Sequence, residues 1–406
     1  MPLARQLARL AVLPFVFWLA VLGVVRAGLA LPEGGGDPTA VQLRASASAA
    51  GGWLLRNQLD DGTYRYEWNR DTNTAPDDYN IVRHAGVTMS LYHLVTQAGD
   101  EAAWEGAERG LAWMLERLRV QDDWIALTDP QADNSSLGSS ALMLVALAER
   151  RLATDDTQYD EQMRQLGNFL VAMQRDDGGF AARWGLTEAV PDYTSTSIYY
   201  PGEATWALAL LHEALPDAGF EEPARRALDF VTLERDDVEN IKWPPLNDHW
   251  AAYALAEMVE WGLSDDHIAY IRRLAGRFSL YIRYEAQKDG GSVAASTRGV
   301  DNRAASLGTW VEGMAALWRV AARDERLDDL EPTLHDLAQM GAGLLRDRQA
   351  SEADGPDEWG AWFVDDITRM DDQQHAISGL LFTADALEGD PSRVPNRAQP
   401  DGTATP

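Results

Sequence analysis

The chain has 406 residues, an apolar fraction of 46% and a formal net charge of −29. This length suits one large domain or two ordinary ones, and the strong negative charge argues against a nucleic-acid partner, whose phosphates would be repelled. There is no cysteine, which excludes disulfides, thiolate metal sites and a cysteine nucleophile.

The first thirty residues have the composition of an export segment. Arg5 and Arg9 precede an apolar run at residues 10–25, and small residues suited to signal cleavage follow. Extended to residue 31, the run would be long enough to cross a membrane with its basic end inside. The sequence thus leaves open a cleaved signal peptide or a retained inner-membrane anchor at residues 1–30. In both cases it predicts export to the periplasmic or extracellular face. Residues 31–40 are a linker.

Six copies of one helix-ending pattern follow the linker. Each has a bulky apolar residue five positions before a glutamine or its substitute, often followed by Asp-Gly. The clearest copies are Trp53…Gln58, Phe169…Gln174 and Ile282…Gln287, and the weaker ones begin at Trp113, Phe230 and Leu344. Units repeated at such a period cannot bury their own apolar faces and need their neighbours, so the sequence predicts one closed domain.

Helical periodicity predicts two helices in each repeat. The first members are residues 41–57, 101–119, 157–174, 220–233, 265–284 and 329–347. The second members are residues 83–98, 137–152, 202–215, 247–262, 303–322 and 372–388. The second set is richer in small residues, which suits an inner ring, and the first carries more charge, which suits a solvated outer ring. The Pro-rich, polar residues 389–406 are predicted to be a disordered tail.

This arrangement resembles the (α/α)6 toroids over about residues 40–390. The copies at residues 53–64 and 169–180 resemble the QW-type repeats of the terpenoid cyclase and protein prenyltransferase-like toroids. The hairpin count equally resembles the six-hairpin glycosidase superfamily, including toroids of the uronyl C5-epimerase type. The resemblance implies an all-α fold for residues 41–388, an (α/α)6 toroid whose six helical hairpins place twelve helices in two concentric rings.

The resemblance says less about chemistry, because these toroids host many reactions. The Asp-x-Asp-Asp proton donor of hopene-type cyclases is absent from the sequence, and so is the cysteine zinc ligand of prenyltransferases and lanthipeptide cyclases. The carbohydrate-active branch remains, beside a toroid without catalysis.

The long connections all run from an outer helix to the next inner helix, at residues 58–82, 120–136, 175–201, 234–246, 285–302 and 348–371. They therefore fall at one end of the rings, where function is expected. Sugar binding needs flat aromatic faces and polar groups, and glycoside hydrolysis needs two carboxyl groups in different protonation states.

The first hypothesis is therefore an exported enzyme that hydrolyses a cell-envelope or extracellular polysaccharide. Glu203 and Asp248 are the predicted acid–base pair, with Asp78 and Asp372 as alternatives. An Asp before a helix can also be an N-cap, and a first-turn Glu can merely complement the helix dipole. The residues predicted to stack on or orient the sugar are Tyr79, Tyr199, Tyr200 and Trp250.

The second hypothesis is proton abstraction at C5 of a uronate, giving epimerisation or elimination. Tyr200 or His84 would be the base, and Arg83 or Arg303 would clamp the carboxylate, although both arginines can instead pair with loop acids. The third hypothesis is a non-catalytic toroid that binds a polymer during envelope export or assembly. In each case the expected partner is an oligosaccharide or polysaccharide, together with the membrane if the N-terminal segment is retained, and the protein is expected to be monomeric.

Three histidines, His84, His249 and His375, each open a different inner helix and can converge on one mouth. With neighbouring acids they can hold a metal ion, but no paired-histidine spacing supports this. The sequence therefore predicts neither a metal nor a cofactor, and it assigns His249 and His375 to substrate binding.

Overall fold

The computed structural model describes residues 2–129, 132, 134–187, 189–241 and 243–389, and of these the side chains of residues 2–11, 29, 293 and 294 lie outside the description. Nearly all of the predicted tail, and Asp133, which the sequence suggests as a helix cap, also lie outside it. The first helix is α1 (Pro2–Leu29).

Six helices form an outer ring and six an inner ring. The outer helices are α2 (Ala40–Arg56), α4 (Glu101–Leu115), α6 (Asp160–Met173), α8 (Glu221–Asp229), α11 (Asp265–Ala286) and α13 (Glu331–Arg348). The inner helices are α3 (Ile81–Ala98), α5 (Leu137–Thr154), α7 (Tyr200–Ala214), α10 (His249–Glu257), α12 (Ala304–Ala321) and α14 (Met370–Glu388). Each inner helix contacts the next, and α14 contacts α3, so the inner ring is closed. The predicted (α/α)6 toroid is confirmed.

The repeated glutamine explains why the pattern recurs. Gln58 Nε2 donates to the carbonyl of Gly62 in its own turn and to that of Gly106 in the next outer helix, at 3.2 and 2.9 Å. Gln174 does the same with Gly178 and Pro223. One side chain thus satisfies carbonyl groups of two consecutive hairpins. Gln349 makes the corresponding contact between the last hairpin and the first.

Gln349 Nε2 donates to Gly360 and to Ser46 of α2, both at 2.9 Å. The apolar anchors that precede these glutamines are buried, and Trp53 has no exposed surface. Gly62 is required because its φ is +90° and a Cβ there would lie 2.5 Å from the carbonyl oxygen of Arg109.

The fourth hairpin departs from the prediction. Its outer helix α8 ends at Asp229 and continues as a π-helical turn, Phe230–Glu234, and the short α9 (Arg235–Val238). This insertion turns Arg235 into the interior, where it is 1% exposed. A π turn inside a helix often marks a functional region, and Arg235 bonds a residue beside the cavity described below.

Short antiparallel strands join the long loops. The strand β1 (Glu67–Asn69) pairs with β7 (Ile367–Arg369), with Trp68 opposite Thr368, and so ties the first loop to the sixth. The strands β2 (Leu118–Gln121) and β3 (Trp124–Leu127) form a hairpin after α4, which is why that helix is shorter than predicted. A sheet of β4 (Asn134–Ser136), β5 (Arg183–Gly185) and β6 (Val190–Pro191) ties the second loop to the third.

The linker after α1 packs on the outer ring. The amide of Gly34 donates to the carbonyl of Ala286 at 2.8 Å, and Glu33 pairs with Arg283 at 2.9 Å. Apolar side chains of α1 such as Phe17 and Trp18 are exposed. Among the described residues, no helix is both long and apolar enough to span a membrane.

Candidate active site

A cavity of about 790 Å³ opens at the end of the toroid where the long loops and the N-termini of the inner helices meet. Its lining includes Arg83, Tyr199, Tyr200, Glu203, Trp243, His249, Trp250, Tyr281, Trp310, Arg369, Asp371, Gln374 and His375. Of the residues named from the sequence, the cavity brings together Glu203, Tyr199, Tyr200, Arg83, His249, Trp250 and His375.

Two histidines share one carboxylate in this cavity. Nδ1 of His375 donates to Oε2 of Glu312 at 2.9 Å, and Nε2 of His249 lies 3.6 Å from the same oxygen. The two imidazole rings are 5.2 Å apart and nearly perpendicular. Each ring therefore turns one nitrogen toward the same carboxylate of Glu312.

The surroundings push these two histidines toward opposite protonation states. Burial, with the nearby charge of His375, lowers the pKa of His249 well below its ordinary value. Burial also lowers the pKa of His375, but the carboxylate of Glu312 outweighs it and the net pKa is raised. A pair of titratable groups separated in this way can supply a neutral base and a protonated acid at the same pH.

Glu203 is the carboxyl group in this cavity with no counter-charge beside it. It is 4% exposed, and Oε2 has no hydrogen-bond partner. Burial, and secondarily the charge of Asp248, raises its pKa to about 8, so it is protonated at neutral pH. Gly138 makes room for it, since a Cβ there would lie 2.3 Å from Oε2 and 2.4 Å from the ring of Tyr200.

Two arginines of the cavity form salt bridges with the same aspartate. Arg83 pairs with Asp371 at 3.2 Å and Arg369 pairs with it at 3.4 Å. Arg83 also donates to the hydroxyl of Tyr66. These contacts hold both guanidinium groups to the protein and reduce the positive charge available to an anionic sugar.

Asp248 and Asp372 have structural partners instead of places in the cavity lining. Asp248 caps α10 by accepting from the amide of Ala251 at 3.1 Å, and its other oxygen pairs with Arg235 at 2.7 Å, both side chains being fully buried. Asp372 pairs with Arg303 at 2.7 Å and also accepts from the amide of Ala305. The sequence assigned Asp248 and Asp372 to catalysis and Arg303 to a substrate clamp, but their polar atoms already serve these bonds.

His84 lies between the two rings of helices, away from the cavity. Its Nε2 donates to the carbonyl of Gly110 at 2.9 Å, and the hydroxyl of Tyr79 donates to its Nδ1 at 2.6 Å. It stacks at 4.3 Å on Trp113, and burial lowers its pKa to about 4. His84 and Tyr79 therefore form a packed network rather than a base and a sugar platform. Asp78 is exposed outside the cavity lining.

Sequence reasoning missed Glu312, Trp310 and Gln374. Glu312 lies in the middle of α12 and has no exposed surface. A signal was present, since Glu312 is the one charged residue among small and apolar residues at 307–318, and a buried charge needs a partner.

His249, Glu312 and His375 can each offer a ligand atom, and these atoms lie within 4.8 Å of one another. That spacing admits a metal ion. The hydrogen bond from His375 to Glu312 also explains why these groups lie close together, without a metal ion between them.

At the level of sequence, no protein-family model and no curated protein matches this chain. Solved structures do match its fold. Cellobiose 2-epimerase from Spirochaeta thermophila aligns with a TM-score of 0.60 and 16% identity over 86% of this chain and 98% of that one. A D-mannose isomerase aligns at 0.58 and 12%, over 87% and 100%.

An α-1,6-mannanase of a Salegentibacter species, an inactive variant solved with α-1,6-mannotriose, aligns at 0.58 and 13% identity over 84% of this chain and 99% of that one. At identities this low, the similarity shows a shared fold and nothing about the reaction. The chain shares the (α/α)6 toroid fold of these solved structures, as the hairpin count predicts.

Proposed function

We propose that this protein is a carbohydrate-active enzyme that moves a proton on the carbon next to the carbonyl group of a neutral reducing sugar, as a 2-epimerase or an aldose–ketose isomerase. The observation that carries the proposal is the pair His249 and His375, which line one cavity, share Glu312 and have pKa values displaced in opposite directions.

The reaction needs one base and one acid. Neutral His249 takes the proton from C2 of the open-chain sugar, and the electron pair of the broken C–H bond forms the double bond of an enediolate. Protonated His375 then gives its proton to C2 from the opposite face, which re-forms the C1 carbonyl and inverts C2, or to C1 while the proton on O2 passes to O1, which forms the C2 carbonyl of the ketose. Exchange with solvent resets the two protonation states.

The fold neighbours support this reaction class in part. Cellobiose 2-epimerase and D-mannose isomerase are named for reactions of this kind. Because they share only the fold with this chain, the assignment depends on the histidine pair.

The ion pairs that the arginines already make support a neutral sugar over a uronate. A carboxylate clamp needs a free guanidinium group, whereas Arg83 and Arg369 hold Asp371 and Arg303 holds Asp372. His84, the other predicted uronate base, is packed against Trp113.

The test is conversion of a sugar panel containing glucose, mannose, cellobiose and mannotriose, followed by chromatography. We expect at least one reducing sugar to yield its C2 epimer or ketose, with no loss of chain length. A chelator should leave the rate unchanged, and loss of activity on chelation would replace the proton mechanism with a metal centre at the same three residues.

Hydrolysis of a glycosidic bond is the second candidate, because Glu203 is buried in the cavity wall with a pKa of about 8 and suits a general acid. Asp371, which also lines the cavity, would be the second carboxyl group. New reducing ends from an oligosaccharide, without C2 exchange, would select this candidate. Binding with neither reaction would leave a non-catalytic module.

We also propose that the protein is exported by its N-terminal segment, on the strength of the basic and apolar pattern at residues 5–25. The mass of protein recovered from the periplasm or medium of an expressing bacterium tests this. A mass lacking about the first thirty residues supports a cleaved signal, and accumulation of the full chain in the cytoplasm contradicts export.

A further inference from the structure

We propose that the cavity continues outward into a second saccharide subsite built around Trp243, which holds the rings that follow the reducing end of a neutral oligosaccharide. The orientation of the ligand rests on the proposed function, since it puts the reducing sugar at His249 and His375. The subsite itself rests on separate residues of the fourth long loop and of α11 and α12.

Trp243 lines the same cavity as the histidines, yet 87% of its surface is exposed. Leaving an indole ring in water gives up the free energy that its burial would supply, so the fold gains nothing from this placement. Pro244 and Pro245 follow it and also line the cavity. Their fixed φ angles stiffen the loop. This favours an indole ring of Trp243 that stays in solvent as a flat binding surface over one that folds back onto the protein.

The exposure of the aromatic side chains increases from the floor of the cavity to its rim. Trp250, beside His249, is 2% exposed, Tyr199 is 47% exposed and Trp243 is 87% exposed. A ligand whose first ring reaches the histidines would therefore have its later rings partly in solvent. A rim of this kind suits a chain of rings longer than a single buried sugar.

A second aromatic surface belongs to the same cavity. Tyr281 of α11 and Trp310 of α12 stack with ring centroids 5.1 Å apart and 26° between their planes. Both line the cavity, and Tyr281 is 37% exposed. Stacking fixes these rings before a ligand arrives, which lowers the entropy cost of binding.

The described lining residues of this loop favour a neutral ligand. Its described residues that line the cavity carry apolar or amide side chains, namely Asn240, Ile241, Trp243, Pro244, Pro245, Leu246 and Asn247. Aromatic faces pack against the C–H groups of a pyranose and amides bond its hydroxyls, which suits a neutral oligosaccharide.

The test measures dissociation constants by calorimetry for glucose, cellobiose and cellotriose, and for mannose, α-1,6-mannobiose and α-1,6-mannotriose, with wild type, Trp243→Ala and Tyr193→Ala. Tyr193 is a matched control because it is 53% exposed and lies outside the cavity lining. In at least one series we expect the trisaccharide to bind wild type about tenfold more tightly than the monosaccharide, a difference of ~1.4 kcal/mol. Trp243→Ala should remove that gain and leave monosaccharide binding unchanged, and Tyr193→Ala should change neither.

Equal weakening of monosaccharide and trisaccharide by Trp243→Ala would overturn the subsite, and so would affinity that does not depend on chain length or no binding in either series. Other outcomes would separate the subsite from the proposed function. Length-dependent binding that needs Trp243, without proton exchange at C2, would keep the subsite and reject the reaction. Proton exchange at C2 of a monosaccharide, with affinity that does not depend on chain length, would keep the reaction and reject the subsite.

Discussion

The carboxylate of Glu312 accepts a hydrogen bond from Nδ1 of His375 at 2.9 Å, from a position in the middle of an inner helix where it has no exposed surface. A buried carboxylate is costly unless it is paired, and the protonated form of His375 provides the pairing. The same oxygen lies 3.6 Å from His249, which burial keeps neutral. Glu312 therefore couples the two histidines and makes them unequal.

Replacing Glu312 with glutamine should change the pH dependence of stability. The net pKa of His375 is raised in the folded protein, so its stabilising contribution is fully present below its unfolded pKa of about 6.5 and is lost as the pH rises through the folded pKa. In Glu312→Gln the carboxylate that raises the pKa of His375 is gone, and burial alone lowers that pKa. We expect the free energy of unfolding of wild type to exceed that of the variant by more at pH 5.5 than at pH 9, as measured by urea denaturation.

Glu257→Gln is the control for this experiment, because Glu257 is also buried on an inner helix but pairs with Arg319 rather than with a histidine. Its effect should be the same at both pH values. A Glu312→Gln effect that is equally independent of pH would show that the carboxylate does not set the protonation of His375.

Replacing Asp248 with asparagine should destabilise the fold. Asparagine keeps the cap on α10 but leaves the buried guanidinium of Arg235 without its counter-charge, so we expect a loss of about 3–5 kcal/mol in the free energy of unfolding. Asp78→Asn, at an exposed site, should change it by less than about 0.5 kcal/mol. A stable Asp248→Asn protein that has lost only turnover would restore Asp248 to a catalytic role.

Replacing Glu203 with glutamine should stabilise the protein at neutral pH. The pKa of Glu203 is about 8 in the folded chain against an ordinary value of 4.5, so folding loses stability as the pH rises between these two values. Relative to wild type, Glu203→Gln should gain about 3 kcal/mol between pH 4 and pH 7 and reach a plateau above pH 8. Denaturation curves across this range measure it, and a difference that is constant from pH 4 to pH 8 would place an ionised carboxylate at residue 203.

Replacing Trp53 with alanine should test the repeat. This anchor has no exposed surface, and its Nε1 donates to the carbonyl of Asp357 at 2.8 Å. We expect a loss of about 3–5 kcal/mol from the cavity that remains, whereas exposed Trp243→Ala should cost less than about 0.5 kcal/mol. Similar thermal unfolding of both variants would show that the anchors do not hold the hairpins together.

The architecture could be predicted from the sequence because its signals are local. The clearest repeats carry their anchor, glutamine and turn within about twelve residues, as at 53–64, and the bonds of Gln58 and Gln174 to the next hairpin follow from the same positions. The broken fourth hairpin could not be predicted. Its π turn occurs together with a tertiary ion pair between Arg235 and Asp248, and no local pattern indicates that pair.

The site was less predictable because the direction of a side chain around its helix decides its role. His84, His249 and His375 all stand near the starts of inner helices, but they are the fourth, first and sixth residues of theirs. Their shared placement near helix starts therefore does not separate His84, which lies against Trp113, from His249 and His375, which line the cavity. Asp248 is paired by Arg235, which the sequence does not indicate, and Asp372 is paired by Arg303, for which the sequence allows a loop acid without identifying it.

The most direct test of the proposed reaction is solvent deuterium exchange at C2 of a reducing sugar, followed by proton NMR in D2O. Wild type should remove the C2 proton signal of at least one neutral sugar of the panel. His375→Asn and His249→Asn should each slow that exchange by about 10²–10⁴-fold, and Arg164→Ala, at an exposed position of the outer ring, should not change it. Exchange that persists in both histidine variants, or chain cleavage by wild type with no deuterium at C2, would contradict the account.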